Sequence, residues 1–218
     1  MSLTLAIDTS HHVAVGLARD GAPLDGLVVA DTRAHGEALM PAVVELLGRH
    51  GLTLPDVTDF VVGMGPGPFT GLRVGIAAAA TLAHVAGRPL HRVCSLDALA
   101  AQWVDAPAQF VVASDARRRE LYWARYSADQ RVGEPAVASP DALPALPVAG
   151  PVPEAHRAGL DWAAEGPVEL DPAQLATHWR RLPAVGAEPL YLRAPDATVG
   201  SAPKSTIPSN QRRLRVPR

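Results

Sequence analysis

Leu3-Thr4-Leu5-Ala6-Ile7-Asp8-Thr9-Ser10 stands near the start of the sequence. Leu3, Leu5 and Ile7 alternate with Thr4 and Ala6, the period-two pattern of a strand. Asp8-Thr9-Ser10 breaks that pattern with short polar residues that favour turns. Outward from there, Val13 to Ala18 reads as a second strand, Asp20-Gly21 as a turn and Leu24 to Ala30 as a third strand. The period then lengthens. Leu39, Met40, Val43, Val44, Leu46 and Leu47 recur at helical spacing, with Gly51 as a stop. Pro41 either starts this helix or kinks it, because it lacks a backbone donor and clashes one turn back. Asp59 to Met64 is a short apolar strand. Thr70 can cap a helix running to about Ala86, stopped by Gly87 and Pro89. Leu90 to Val93 is a strand, and Ser95 can cap a helix through about Trp103. Three meandering strands followed by alternating helices and strands predict an α/β fold, a mixed sheet covered by helices.

A second unit starts near Ala106-Pro107. Gln109 to Ser114 reads as a strand, Asp115-Ala116-Arg117-Arg118 as a polar turn and Glu120 to Tyr126 as the returning strand. This repeats the opening hairpin, with Asp115 in the place of Asp8. Beyond Gly133 the sequence reads as Ala/Pro-rich connections. Asp171 can cap a helix through about Leu182, with Pro172 at its first position. The expected division is 1–104, 105–203 and a basic tail, 204–218. The tail carries Lys204, Arg212, Arg213, Arg215 and Arg218 and no acid. It fits a frayed terminus or an electrostatic contact with RNA or an acidic partner.

Composition narrows the class. The 218 residues hold 20 Lys+Arg and 22 Asp+Glu, for a net charge of −2, which excludes a globally basic nucleic-acid binder. Hydrophobic residues make up 48% and charged residues 19%, enough apolar material for a sizeable core. One cysteine, Cys94, excludes an internal disulfide and a cysteine-rich zinc site. No run approaches the ~20 apolar residues of a membrane span, and the N-terminus lacks the basic region of a secretion signal. A soluble cytoplasmic protein is expected.

Several motifs invite chemistry. A turn such as Asp8-Thr9-Ser10 can set a carboxylate and two hydroxyls beside a nucleotide phosphate, or be an ordinary polar turn. Gly63-Met-Gly-Pro-Gly-Pro-Phe-Thr-Gly-Leu-Arg73 is not a P-loop, since no Gly-Lys-Ser/Thr follows, and its two prolines remove donors a phosphate cradle uses. It suits an anion at a helix start or a rigid loop presented to a partner. Gly71, Gly75, Ala79 and Ala83 then fall at every fourth position, a face with almost no bulk. Either another helix or the protein's own sheet can pack closely on it. Asp115 to Trp123 concentrates cations at a turn, suited to phosphate, an acidic partner or plain solvation. The eight histidines form no ligand set, and adjacent His11 and His12 would point to opposite faces of a strand. Cys94 reads as a small buried residue. A nucleophilic Ser10 has no elbow motif behind it.

Six stretches in one order, Leu5-Ala-Ile-Asp-Thr-Ser10, His35-Gly-Glu-Ala-Leu-Met-Pro41, Gly65-Pro-Gly-Pro-Phe-Thr-Gly-Leu-Arg73, Ser95-Leu-Asp-Ala-Leu-Ala100, Asp115-Ala-Arg-Arg118 with Glu120-Leu-Tyr122, and Pro189-Leu-Tyr-Leu-Arg193, resemble the TsaB (YeaZ) family. These are bacterial subunits of the machinery that makes threonylcarbamoyladenosine in tRNA. The match is dense from residue 3 to about 126 and returns near 189. Pro68 stands where the family usually has serine, and Gly36 where serine is common.

The resemblance implies an actin-like ATPase (ASKHA) fold of two related lobes, the second reduced. It implies a non-catalytic subunit. The related catalytic subunit, TsaD, carries a His-x-x-x-His metal motif where this chain has Ser95 and Leu99, which cannot replace two imidazoles. No cofactor of its own is then expected, ATP and a metal ion belonging to partner subunits. Asp8, Thr9 and Ser10 become a vestigial phosphate turn. The family's docking helices, led here by Pro41 and Thr70, imply an interface of Pro41, Gly65, Gly67, Phe69, Thr70, Gly71, Arg73, Gly75, Ala79 and Ala83. The partners implied are a TsaD-like subunit, the ATPase TsaE and, through the complex, tRNA, with a homodimer through the same face as a fallback. The rival readings are a small actin-fold ATPase or kinase using Asp8, Thr9 and Ser10, and a peptidase, for which no nucleophile–base pair or metal motif is visible.

Overall fold

The computed structural model describes residues 1–30, 35–128 and 130–193. The first unit runs β1 (Leu3–Asp8), β2 (Val13–Arg19), β3 (Ala22–Val29), α1 (His35–Arg49), β4 (Asp59–Gly63), α2 (Phe69–Ala86), β5 (Leu90–Val93) and α3 (Ser95–Ala101). The second runs β6 (Gln109–Asp115), β7 (Leu121–Ser127), β8 (Gln130–Ala138), β9 (Val148–Ala149), α4 (Glu154–Arg157) and α5 (Pro172–His178). The first sheet has the order β3-β2-β1-β4-β5, antiparallel through β1–β3 and parallel from β1 to β5. The second has the order β8-β7-β6-β9, again two antiparallel pairs and one parallel pair on the first strand. The two units share one plan, and this is the actin-like arrangement. Among the described residues the second has no counterpart of β5, and a single 3-10 turn, Pro140–Ala142, stands where the first has α1.

The alternation in the opening strands decides what covers each face. Leu3, Leu5 and Ile7 of β1 and Val13, Val15 and Leu17 of β2 join Leu39, Val43 and Leu46 of α1 and Ala79 and Leu82 of α2 in the main core. The opposite face is built from small residues. Ala6 and Ala18 meet Leu175 and Ala176 of α5. A Cβ on Gly16 would lie 2.0 Å from the Pro172 carbonyl oxygen, so α5 rests directly on β2. Each fully buried Leu or Val contributes roughly 1.5–3 kcal/mol. Helix α3 belongs to both halves: Ala98 packs with Ala6 and Val61, while Leu96 and Leu99 pack with Phe110, Val112 and Tyr126 of the second sheet.

Several expectations need correction. The first helix starts at His35, so Pro41 lies in its interior rather than leading it. Pro68, not Thr70, occupies the cap position of α2, and Thr70 is its second residue. Cys94 occupies the cap position of α3, and Ser95 is its first residue, with its hydroxyl engaged elsewhere. The ends are as read: Gly87 closes α2 in a left-handed conformation, and the Asp171 side chain accepts from the backbone of Ala173 and Gln174. His11 and His12 lie in the bend after β1, not in a strand, with ring centroids 4.2 Å apart. By length and composition alone α2 would suffice to cross a membrane. Here it packs on β1 and β4 with Leu72, Ala79 and Leu82 in the core. The tail 204–218 lies outside the described residues.

Candidate functional site

The centre of the molecule is the turn at the end of β1. Asp8 is 2% exposed. Its Oδ1 accepts from the Ser10 backbone N–H at 2.7 Å and from the Ser10 hydroxyl at 2.5 Å, and its Oδ2 accepts from the Ser95 hydroxyl at 2.6 Å. Burial raises the Asp8 carboxyl above its ordinary value, with these three hydrogen bonds pulling the other way. Ser95 also fixes the Gly/Pro loop, since its Oγ accepts from Gly65 N–H at 3.1 Å and its own N–H donates to the Gly65 carbonyl at 2.8 Å. The glycines make room for this. A Cβ on Gly63 would sit 1.7 Å from Asp8 Oδ2, and one on Gly67 would sit 2.6 Å from the Ser10 carbonyl oxygen.

Thr9 points the other way, into α2. Its hydroxyl donates to the Gly71 carbonyl at 2.8 Å, and a Cβ on Gly75 would lie 2.1 Å from its Oγ1. The face of small residues is therefore filled by the protein itself. Gly71, Gly75, Ala79 and Ala83 are buried against this turn and the main core, as are Gly65 and Gly67. Of the residues expected at a partner surface, Pro41, Thr70 and Arg73 are exposed and Phe69 is half-buried. The apolar groups that α1 and α2 do present outward are Met40, Val44 and Val85, at 41%, 66% and 70% exposure. The apolar period over α1 counted Met40 and Val44 with the core-facing residues, and the structure turns both outward.

The cleft beside Asp8 is lined by Ser10, His12, Ser95, Leu99 and Glu169 among others, and its free volume is about 20 Å3. That is room for a water molecule or two, and an open hollow of about 440 Å3 adjoins it, sharing Val28, Glu169 and Leu170. Ser95 and Leu99, at the places where the resemblance puts two imidazoles, both stand on this wall. Among the described residues no three His, Cys, Asp or Glu side chains converge as a metal site. Cys94 is fully buried and its thiol is pushed up to about 12, so it is no nucleophile at neutral pH.

A family model described as TsaD, tRNA N6-adenosine threonylcarbamoyltransferase, matches residues 29–175. The solved structure of YeaZ from Pseudomonas aeruginosa superimposes with a TM-score of 0.66 at 30% identity, covering 88% of this chain and all of that one. The chain belongs to the TsaB/YeaZ family. It is 46% identical over 205 residues to an uncharacterized protein of Mycobacterium tuberculosis, covering 90% of this chain and 94% of the relative. It is 37% identical over 129 residues to the tRNA threonylcarbamoyladenosine biosynthesis protein TsaB of Escherichia coli, covering 58% of this chain and 55% of that one.

This TsaB/YeaZ-family chain also holds a polar cluster that sequence reasoning missed. Asp97, on α3, is 3% exposed. The Tyr126 hydroxyl donates to its Oδ1 at 2.7 Å, and Arg131 Nε lies 3.1 Å from the same oxygen. Burial raises both the carboxyl and the phenol. A cavity of about 150 Å3, bordered by Trp103, Arg131, His178 and Arg181, lies alongside. The separations along the chain, from 97 to 126 and 131, give no local pattern to find. The cluster ties α3 to β7 and β8.

Proposed function

We propose that this chain is a non-catalytic subunit of the complex that adds threonylcarbamoyl to N6 of adenosine 37 in ANN-decoding tRNAs. It would dock a TsaD-like transferase, hold that subunit in its active shape and help seat the ATPase TsaE. ATP and a metal ion would belong to those partners, and tRNA would reach this chain through the complex. The names of the Escherichia coli and Bacillus subtilis relatives support the pathway. The observation that carries the scaffold role is the enclosed carboxylate. Both oxygens of the Asp8 carboxyl are taken from within the chain, one by Ser10 and the other by Ser95.

The docking surface we favour is the outward side of α1 and α2, with Met40, Pro41, Val44, Thr70 and Val85, rather than the buried stripe behind it. Without the transferase, a second copy would use the same surface. Reconstitution of tRNA modification with and without this chain tests the proposal. Modification is expected to need both proteins, and the double variant Val44→Asp/Val85→Asp should lose co-purification with the transferase at unchanged Tm. Turnover on tRNA by this chain alone, or tight ATP binding by it, would overturn the reading.

A further inference from the structure

Three stretches far apart in sequence meet on one surface strip. At the start of α2 the Arg73 guanidinium lies 3.8 Å from the centre of the Phe69 ring, and its Nε donates to the Tyr191 hydroxyl at 3.1 Å. Phe69 and Tyr191 have ring centroids 4.7 Å apart. Two residues on, at most about 7 Å of chain, Arg193 Nη1 donates to the Ala116 carbonyl at 2.8 Å, and the same guanidinium pairs with Glu120. Ala116 leads into Arg117, Arg118 and Arg119, all exposed at the β6–β7 tip. The strip thus runs Arg73, Tyr191, Arg193, Arg117–Arg119.

The tip is costly to build. Arg117, Arg118 and Arg119 take φ of 61°, 55° and 62°, the left-handed region that crowds an L side chain. Glycine fills seven other left-handed or positive-φ positions of the described chain, and it would relieve this one too. The turn uses three arginines instead. Asp115 accepts from the Arg117 backbone N–H at 2.8 Å and its other oxygen lies 3.8 Å from the Arg117 guanidinium, while Glu120 braces Arg193, so the strip holds five arginines against these two carboxylates. The surplus is local, since the whole chain carries a net charge of −2.

We infer that this strip binds the phosphate backbone of an RNA strand, the guanidinium forks taking phosphate oxygens and the Phe69–Tyr191 pair offering a ring surface to ribose or an unpaired base. Forked planar donors match phosphate, and rings interleaved with cations suit a single-stranded or looped segment. The inference rests on the tRNA-modifying reading above for the identity of the RNA. An acidic protein would not call for the ring pair between the cations.

The test is titration of tRNA onto the full chain and onto its complex with the transferase, across a salt series. Asn accepts the left-handed region, so Arg117→Asn/Arg118→Asn/Arg119→Asn keeps the turn and removes the charge. Its Tm is expected to stay at the wild-type value. Affinity should fall at least tenfold at low salt, and the salt dependence should flatten by about one counterion for each phosphate that is no longer held. The triple Arg→Lys variant should keep most of the affinity, and Arg49→Gln, on the far end of α1, should keep all of it. A chain ending at Pro203 separates the strip from the charges of the tail. If the Asn variant binds tRNA as wild type in both settings, the strip is not an RNA site, whatever the fate of the scaffold reading. If it instead loses the transferase while keeping tRNA affinity, the strip is a protein contact and the inference falls. Reconstituted modification that proceeds without this chain would sink the scaffold reading, leaving the binding result to stand or fall on its own titration.

Discussion

The two sheets begin with the same turn and put it to different ends. Each first strand ends on an aspartate whose Oδ1 accepts from the backbone N–H two residues later, at 2.7 Å for Asp8 and Ser10 and at 2.8 Å for Asp115 and Arg117. In the first unit that aspartate is enclosed by α3, the Gly/Pro loop and the start of α2, and its second oxygen is taken by Ser95. Among the described residues of the second unit no long helix follows the third strand and no fifth strand flanks the fourth, and the turn projects three exposed arginines. One local motif therefore yields a buried carboxyl or a cationic tip according to what the rest of each unit packs around it. Local propensity sets the turn, and tertiary packing sets its chemistry.

The sharpest way to break this comparison is to remove the room that encloses the first turn. Gly75→Leu drives a side chain into Thr9, and overpacking of this kind costs about 3 kcal/mol. Thermal denaturation should show Tm falling by roughly 6–12 °C; an unchanged melt would mean that Thr9 does not rest on α2. The corresponding break where α3 meets the second unit is Asp97→Ala, which strands the Tyr126 hydroxyl and Arg131 and should cost about 2 kcal/mol, against about 1 kcal/mol for Tyr126→Phe. Equal losses for the two would show that Arg131 contributes nothing.

A finer test separates the two aspartates by pH. Burial raises the Asp8 carboxyl above its ordinary 3.8, so between that value and the raised one the folded chain binds more proton there than the unfolded chain. From 3.8 up to the raised value, stability falls as pH rises. Asp8→Asn removes that loss: Tm should rise at pH 7, by about 2–4 °C per kcal/mol relieved, and the gain should vanish as pH approaches 3.8. Asp115→Asn keeps an acceptor for the Arg117 N–H at the surface and should shift stability by under about 0.5 kcal/mol. If the two variants behave alike, enclosure is not what distinguishes the turns.

How much of this was legible follows the physics of each element. The opening strands were read because large and small residues alternate, and the same alternation assigns the bulky face to α1 and α2 and the small face to α5. The end of α2 and the start of α5 were read from Gly87 and from Asp171-Pro172, residues whose backbone roles are local. None of β8 was, because Gly133 and Pro135 resemble a connection; on a sheet edge a proline removes no needed donor. β9 is two residues held by pairing with Val111 and Val112, a contact with no local pattern. The small-residue stripe correctly announced a close approach, but the sequence does not say by what. The occupant is Thr9, more than sixty residues upstream of Gly71.

Helix α3 carries a mechanical consequence. Hinged proteins that swallow a nucleotide swing one half against the other, and the swing needs a boundary that nothing straddles. Here Ala98 is embedded on one side of the would-be hinge and Leu96 and Leu99 on the other, with the Ser95 hydroxyl bolted across to Asp8. Any gape would tear apolar groups out of one half or the other. Moving one half against the other would also break the Ser95–Asp8 hydrogen bond.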